Sequence, residues 1–363
     1  MKSRSALQVL LVAAGVVLIQ LGVSAAGKTY YLTQLTMAVY YAIVVMGLSL
    51  LMGYAGQVSL GHGAFFALGG FLSAFLTTHN FAALKSAAGV SSLQKLGVLV
   101  SRQNLYDGSE LLTVTPWAAF GAAMLLTLVV ATVIGYPSLR LKGHYLAMAT
   151  LGFGLIIYRI LLGTPQLGAA DGITGVPAWS LGFGLSVSGK SALRVQNYYI
   201  ACAVALVVLA LLVNLVNSRI GRALRAVHGG ELAANTMGIN TARLKLQAFV
   251  ASAVLAAAAG SFLTHYNEGI GPSEASALKS VRYVALVAAG GMANLPGALI
   301  ISTLLTFLSL RGWFGTYDSA VFGLILIVIV SLAPDGPLKP IGHWIQMRCR
   351  WRLGRKEARH GAA

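Results

Sequence analysis

The stretch SRIGRALRAVHGGELAANTMGINTARLKL, residues 218–246, decides how the chain is organised. It carries five basic residues against a single acid, Glu231, and apolar runs long enough to cross a bilayer lie on both sides of it. The rest of the chain is poor in charge, since only 10% of the 363 residues are charged and 57% are hydrophobic. We therefore interpret residues 218–246 as a cytoplasmic loop that passes force or signal to a soluble partner.

The composition is that of an integral membrane protein. Soluble domains carry about 25% charged residues, whereas the mean hydropathy of this chain is +0.77. The formal net charge of +17 would suggest a nucleic-acid partner in a soluble chain. In membrane proteins, however, basic residues collect in the cytoplasmic loops. We therefore expect the lipid bilayer as a partner and no nucleic acid.

Residues for catalysis or metal binding are scarce. The two cysteines, Cys202 and Cys349, lack the spacing of a metal site. All 9 acidic residues lie in predicted loops or at the ends of apolar runs, so no two carboxylates share a helix face at catalytic spacing. We predict that the chain is not an enzyme and binds no metal and no cofactor.

The apolar runs predict an all-α polytopic membrane protein with about eight transmembrane helices. We expect one transmembrane domain over residues 1–345 and a basic tail over residues 346–363. Lys2 and Arg4 precede the first run, and the tail is also basic, so both termini are predicted to be cytoplasmic. Residues 23–25 resemble a weak signal-peptidase site, which leaves cleavage of the first helix open. The eight runs cover residues 6–23, 30–52, 64–78, 116–136, 145–162, 197–216, 247–266 and 319–332.

A further apolar segment, residues 283–310, has an unusual length. It would make about 42 Å of helix, which is too long for one ordinary crossing and too short for two. Asn294–Gly297 reads Asn-Leu-Pro-Gly and should break it. With both termini inside, the charge bias is satisfied if this segment enters and leaves on the same side. We predict a broken, re-entrant pair of half-helices here; two thin crossings, giving ten spans, are the alternative.

The segment Gly53–Gly63, GYAGQVSLGHG, is rich in glycine and polar side chains although apolar runs flank it. Backbone at membrane depth must be hydrogen-bonded, so such a segment is tolerated only against protein or a water-filled cavity. We predict that it lines a translocation path. The candidate path residues are Gly53, Gly56, Gln57, Ser59, Gly61 and His62.

Residues 218–246 divide into two predicted short helices. Arg219, Arg222 and Arg225 recur at every third position, which gives the first helix a basic stripe. Gly229–Gly230 should interrupt this helix, and residues 231–238 begin a second one with an acid in its first turn and a glycine stop. These features fit a surface that docks a partner and fit equally an ordinary basic loop beside lipid headgroups.

Four stretches resemble, in order, the permease subunits of branched-chain amino-acid ABC importers of the LivM type. They are GYAGQVSLGHGAFFALGGF (53–71), LKGHYLAMATLGFG (141–154), DGITGVP (171–177) and the segment 220–260. The last is the most specific, because it resembles the coupling segment that docks into a groove on the ATP-binding subunit.

The resemblance implies a permease subunit of an ATP-driven importer in a bacterial inner membrane. It implies three kinds of protein partner: two ATP-binding subunits that use the ATP, a second, LivH-like permease, and a periplasmic solute-binding protein. Residues 229 and 230 are glycine where relatives often carry an acidic pair, and residues 267–283 are more charged than expected. The glycine pair would loosen the loop or alter the choice of ATP-binding subunit, and the extra charge of residues 267–283 leaves urea, short amides and aromatic acids open beside branched-chain amino acids as solutes.

The resemblance also implies which residues couple to the ATP-binding subunits. Ala233, Ala234 and Gly238 match the small residues of the coupling motif, and Glu231 precedes them. The full candidate set is Arg222, Arg225, Glu231, Ala233, Ala234 and Gly238. The alternative from another class is an ion-coupled secondary transporter that works alone, which predicts uptake under an ion gradient without an ATPase.

Overall fold

The computed structural model describes residues 2–81, 97–103, 110–141, 143–182, 184–312 and 317–332. The predicted basic tail, 346–363, lies outside the described residues. The helices are α1 Lys2–Ala25, α2 Tyr31–Ser49, α3 His62–Thr78, α4 Pro116–Ser138, α5 His144–Gly163, α6 Arg194–Asn217, α7 Arg219–Gly229, α8 Glu231–Thr236, α9 Thr241–Asn267, α10 Ala277–Gly290, α11 Leu295–Leu310 and α12 Asp318–Leu332. The strands are β1 Leu99–Gln103, β2 Glu110–Val114, β3 Ile173–Thr174, β4 Trp179–Gly182, β5 Leu185–Val187 and β6 Gly269–Ile270, paired antiparallel as β1–β2, β4–β5 and β3–β6.

The predicted class, an all-α membrane protein, is confirmed by the helices. Five of the described helical segments are long and apolar enough to cross a membrane: α2 with the π-helical turn Leu50–Tyr54, α4, α5, α6 with the short turn before it, and α9. Shorter apolar helices include α3 and α11. The strands are short and lie in the connections between helices, so they do not change the class.

Helix α2 lies at the centre of the bundle, where it packs against α6, α9 and α11. Most of its residues are buried, and it is apolar on every face, as a helix enclosed by other helices must be. Helix α4, in contrast, exposes large apolar side chains such as Leu125 and Val133. An apolar exposed face of this kind fits contact with lipid.

Helices α3 and α9 cross at glycine contacts. A Cβ at Gly69 would lie 2.2 Å from the carbonyl oxygen of Ala257, and one at Gly260 would lie 2.0 Å from that of Phe66. Small residues at such crossings let two backbones touch, and this contact drives the association of helices in a bilayer. The abundance of glycine in the chain therefore serves close helix packing.

The segment predicted as two half-helices is broken, but at a different place. The first half, α10, begins at Ala277, and the break covers residues 291–294. Residues 295–297 were predicted to belong to the break; instead they form the first turn of α11. Asn294 caps this helix, because its side chain accepts a hydrogen bond of 3.1 Å from the Gly297 amide. Pro296 is tolerated in a first turn, where its missing N–H has no partner to lose.

We expect Gly260→Leu to prevent the packing of α3 on α9. Inserting a side chain into a filled contact costs about 1–3 kcal/mol, and here the clash is with backbone, which cannot yield as a side chain can. The measurement is the amount of monodisperse protein recovered from detergent extracts. Gly152→Leu in α5 is the matched control, because nothing lies within 4 Å of a Cβ at Gly152. Equal losses in both variants would contradict the packing argument.

Candidate functional site

Residues 219–236 fold as two short helices, α7 and α8, as the glycine pattern predicts, but the predicted loop ends earlier than residue 246 because α9 already begins at Thr241. Ser218 caps α7 by accepting hydrogen bonds from the amides of Ile220 and Gly221 at 3.2 and 3.4 Å. Gly230 is extended and separates α7 from α8. Gly238 ends the second helix with a φ of +78°, a conformation that glycine adopts without strain.

Helix α7 buries one face and exposes its arginines. Gly221, Leu224 and Val227 are buried, whereas Arg222 and Arg225 are exposed. The Arg225 guanidinium nevertheless has partners inside the chain, because it donates to the carbonyl oxygens of Val216 at 2.6 Å and Gly221 at 3.3 Å. Arg225 therefore satisfies the Val216 carbonyl at the end of α6 and holds α7 against that end.

An ion pair fastens α8 to the start of α9. Lys245 Nζ lies 2.7 Å from Glu231 Oε2, and only 4% of the Lys245 side chain is exposed. Thr241 Oγ1 adds hydrogen bonds to Asn235 Oδ1 at 3.0 Å and to Glu231 Oε1 at 3.4 Å. Sequence reasoning missed Lys245 and Thr241 as partners of Glu231. The signal available was that Glu231 is the single acid among several bases, which does not say which base pairs with it.

Two large apolar side chains protrude at α8, one within the helix and one at the residue that follows its last turn. Leu232 and Met237 are 78% and 82% exposed, and Ala233 is exposed between them. Ala234 is 3% exposed and faces the body of the protein. The candidate alanines thus have different positions, and the exposed leucine and methionine, which sequence reasoning did not select, form the protruding surface.

The predicted path segment begins against the break between α10 and α11. Gly53 lies so close to this break that a Cβ there would be 1.8 Å from the carbonyl oxygen of Met292. Ser49 Oγ donates to the Met292 carbonyl at 2.8 Å, and the Tyr54 hydroxyl donates to the Ala293 carbonyl at 2.6 Å. Side chains of α2 and its π-helical turn thereby satisfy the carbonyls that the break leaves without helical partners.

The next residues of the path segment contact α7. Gly56 has a φ of +69°, and a Cβ there would lie 2.7 Å from Nδ1 of His228. Gln57 is partly exposed, and its amide donates to the carbonyl of Leu51 at 3.1 Å. The structure therefore brings the start of the path segment, the break at 291–294 and the last turn of α7 together at one end of the bundle.

The last residues of the path segment lie deeper, against α5 and α9. The Leu60 amide donates to Thr150 Oγ1 at 2.9 Å, and Ser59 and Gly61 are buried. His62 is fully buried, and its Nε2 lies 3.0 Å from Ser252 Oγ. Ser59, Gly61 and His62 are therefore packed among helices, whereas Gly56 and Gln57 reach the surface.

Within the described residues, no group of three or more His, Cys, Asp or Glu side chains could hold a metal ion.

Comparison with known proteins identifies a family that the chain matches. Residues 30–330 match the family model described as branched-chain amino acid transport system / permease component. The high-affinity branched-chain amino acid transport system permease protein LivM of Salmonella typhimurium is 29% identical over 326 residues, covering 84% of this chain and 68% of the relative. LivH of Escherichia coli (strain K12) is 24% identical over 329 residues, covering 85% and 96%. BraD of Pseudomonas aeruginosa is 25% identical over 330 residues, also covering 85% and 96%. No solved structure matches the chain.

We expect Glu231→Gln to loosen α8 from α9, because the nearly buried Lys245 ammonium loses its charged partner. Hydrogen bonds to charged groups contribute about 1.5–3 kcal/mol, less where a partner is partly exposed to solvent, as Glu231 is. Hydrogen–deuterium exchange of the α8 amides should therefore accelerate by about tenfold. Glu268→Gln, at the other end of α9, is the control. Unchanged exchange in α8 would show that the ion pair does not hold the helix.

Proposed function

This chain belongs to the family of branched-chain amino acid transport permease components, and from this premise we propose that it is a membrane-spanning subunit of an ATP-driven importer for branched-chain amino acids. The proposal places it in a bacterial inner membrane, as a multi-pass protein. The observation that carries the mechanism is α8, a short helix with an exposed apolar side and a nearly buried ion pair behind it. Such a helix suits docking into a groove of a soluble subunit.

The proposed docking partners are two ATP-binding subunits, which would use the ATP, while this chain binds no cofactor of its own. Leu232 and Met237 would enter an apolar groove, with Ala233 allowing close approach between them. Arg222 is exposed on the neighbouring helix and would contribute charge at the rim. Charged side chains at the rim of an interface act mainly on the rate and specificity of association.

Movement of a docked α8 would reach the membrane helices by two routes. The Glu231–Lys245 ion pair joins α8 to α9, the long helix that packs along α2 and α3. The contact of His228 with Gly56 joins α7 to the path segment and, through Gly53, to the break at 291–294. A push from ATP-driven closure of the partner subunits would thus act on a long helix and on both irregular segments together.

We infer ten membrane crossings rather than eight with a re-entrant pair. The break at 291–294 contacts the last turn of α2, next to α7. At the far end of α11, the Arg311 guanidinium donates to the hydroxyl of Tyr31, the first residue of α2, at 2.8 Å. Helix α11 therefore runs beside the whole of α2, and ten crossings keep both termini in the cytoplasm.

The path residues divide between two parts of this mechanism. Gly53, Gly56 and Gln57 would form the cytoplasmic mouth of the path, where movement of α7 would act directly on Gly56 through His228. Ser59, Gly61 and His62 would hold the deeper part of the segment between α5 and α9. A second permease of the LivH type would complete the path, and a periplasmic solute-binding protein would deliver the solute from outside. The similarity to both LivM and LivH supports a pair of related permeases.

We expect Leu232→Asp and Met237→Asp to abolish docking of the ATP-binding subunits. Apolar side chains that fill a pocket at the centre of an interface contribute about 2 kcal/mol or more each. Co-purification of ATP-binding subunits with the tagged chain should fall by more than about tenfold. Leu185→Asp, at the exposed first residue of strand β5, is the matched control and should leave co-purification unchanged. Retention of the subunits by both α8 variants would overturn the docking proposal.

Ten crossings predict that the break at 291–294 is reached from the cytoplasm. Ala293 is exposed, so Ala293→Cys, made with Cys202 and Cys349 replaced by serine, should react with a membrane-impermeant maleimide in inside-out vesicles and resist it in intact cells. Tyr317→Cys is the control, because Tyr317 is 74% exposed and lies on the outer side in either topology. Labelling of residue 293 from the outside would favour the re-entrant pair.

A further inference from the structure

The starts of two helices meet inside the bundle. The Gly63 amide, in the first turn of α3, donates to Ser280 Oγ, in the first turn of α10, at 3.2 Å. Ser276 caps α10 by accepting a hydrogen bond from the Lys279 amide at 3.4 Å. The N-terminal end of a helix carries a partial positive charge, so two such ends create a region that favours anionic groups.

This meeting point lies near the middle of the membrane. His62, the first residue of α3, contacts Ser252, which stands about 17 Å along α9 from its start at Thr241. The Tyr41 ring stacks on that of Phe66, the next turn of α3, at 5.5 Å between centroids. Tyr41 is itself about 15 Å along α2 from Tyr31.

An ion pair occupies this region. Lys279 Nζ lies 2.6 Å from Glu274 Oε1, in the short turn that precedes α10. The Tyr41 hydroxyl donates to the same carboxylate oxygen at 3.0 Å and accepts from Lys279 Nζ at 3.1 Å. Charged side chains at this depth are costly, and in membrane proteins they mark functional sites such as substrate and ion pathways.

Two polar atoms beside the ion pair are buried without partners. Glu274 Oε2 and the Tyr283 hydroxyl are both enclosed, and neither has a hydrogen bond within the described part of the chain. Tyr283 is 3% exposed, and its ring centroid lies 6.3 Å from that of Tyr41. Buried polar atoms are nearly always hydrogen-bonded, so an acceptor and a hydroxyl without partners point to a ligand that supplies them.

The ion pair also borders an open face of α10. Leu278 and Val281 are exposed, and 30% of the Lys279 side chain is exposed between them. Arg282 continues the face and pairs with Asp318 at 3.5 Å. Since ionisable residues in a membrane face the interior of a bundle or a water-filled cavity rather than lipid, we infer that this face would lie towards the path and the second permease.

We propose that Glu274, Lys279, Tyr41 and Tyr283 form a transit site for the zwitterionic head group of an α-amino acid. The α-ammonium group would bind Glu274 and the Tyr283 hydroxyl, and the α-carboxylate would bind Lys279 at the positive helix ends. The inference rests on the proposed function and narrows it, because urea and short amides carry no charges to match this ion pair.

The exchange of partners is balanced in charge. Without solute, Glu274 and Lys279 neutralise each other; with solute, each pairs with the opposite charge of the amino acid. No charge at this depth is left unpaired in either state, so the solute enters and leaves without the cost of a bare buried ion. A site on a transport path must bind weakly enough to release its solute. The ion pair between Glu274 and Lys279 would weaken binding, because each side chain competes with the solute's charged group for the other.

The sharpest test uses Tyr283→Phe and Tyr40→Phe. Both tyrosines are buried with hydroxyls that lack hydrogen bonds, but Tyr40 stacks on Phe262 of α9, away from the ion pair. Removing a hydroxyl without partners leaves no unsatisfied group behind, so neither variant should unfold. In the complete importer reconstituted in proteoliposomes with its binding protein, Tyr283→Phe should lower leucine uptake per ATP hydrolysed by at least fivefold. Tyr40→Phe should leave that ratio unchanged, and equal ratios would overturn the transit site.

A second set of variants separates a solute site from a purely structural ion pair. If Glu274 and Lys279 only fasten the turn at Pro272–Ala275 to α10, then Glu274→Gln or Lys279→Gln leaves one charge bare, and the double variant regains function. If they bind solute, leucine uptake per ATP falls by at least tenfold in both single variants and in the double variant. Recovery in the double variant would overturn the proposal.

The same preparation distinguishes failure of the site from failure of the proposed function. ATP-dependent leucine uptake by the unaltered importer, with equal ratios in Tyr283→Phe and Tyr40→Phe, refutes the transit site alone. An unaltered preparation that takes up leucine under an ion gradient without ATP, or not at all, refutes the importer and with it the site that rests on it.

Discussion

A backbone N–H or C=O group that packing removes from water needs a hydrogen-bond partner within the protein, and the irregular parts of this protein depend on that constraint. At the break between α10 and α11, the carbonyls that have no partner within a helix accept hydrogen bonds from the side chains of Ser49 and Tyr54. Along the path segment, the Leu60 amide donates to Thr150. Because the partners come from other helices, neither irregular segment is stable until α2 and α5 have packed around it.

Close approach of backbones makes these segments depend on each other. Gly53 and the break touch without side chains between them, and Gly56 lies under the ring of His228. A displacement of α7 would therefore reach Gly56 through the ring of His228, and it would pass from Gly53 to the break by direct contact of backbones. Packed contacts of this kind transmit movement, since protein interiors are nearly as dense as crystals.

Two ion pairs in different parts of the bundle have the same arrangement along the chain. Glu231 pairs with Lys245 where α8 meets the start of α9, and Glu274 pairs with Lys279 where a short turn meets the start of α10. In each, an acid from a short helix or helical turn is held by a lysine in the first or second turn of the helix that follows. The first pair fixes a protruding helix that we propose docks a soluble partner, and the second, beside Tyr41 of α2, lies next to polar atoms without hydrogen-bond partners.

The sequence by itself determined the class of protein, the positions of the long apolar helices, the two short helices at 219–236 and the family, because hydrophobic runs, glycine stops and local motifs are read along the chain. It also indicated that 283–310 is broken, although it misplaced the break, since Pro296 serves equally in a loop or in a first turn. Only the tertiary structure decided that Lys245 is the partner of Glu231 and that the starts of α3 and α10 meet beside Tyr41. The physical reason is that these contacts join residues 14 to more than 200 positions apart, and nothing local in a sequence fixes which distant side chains share a site.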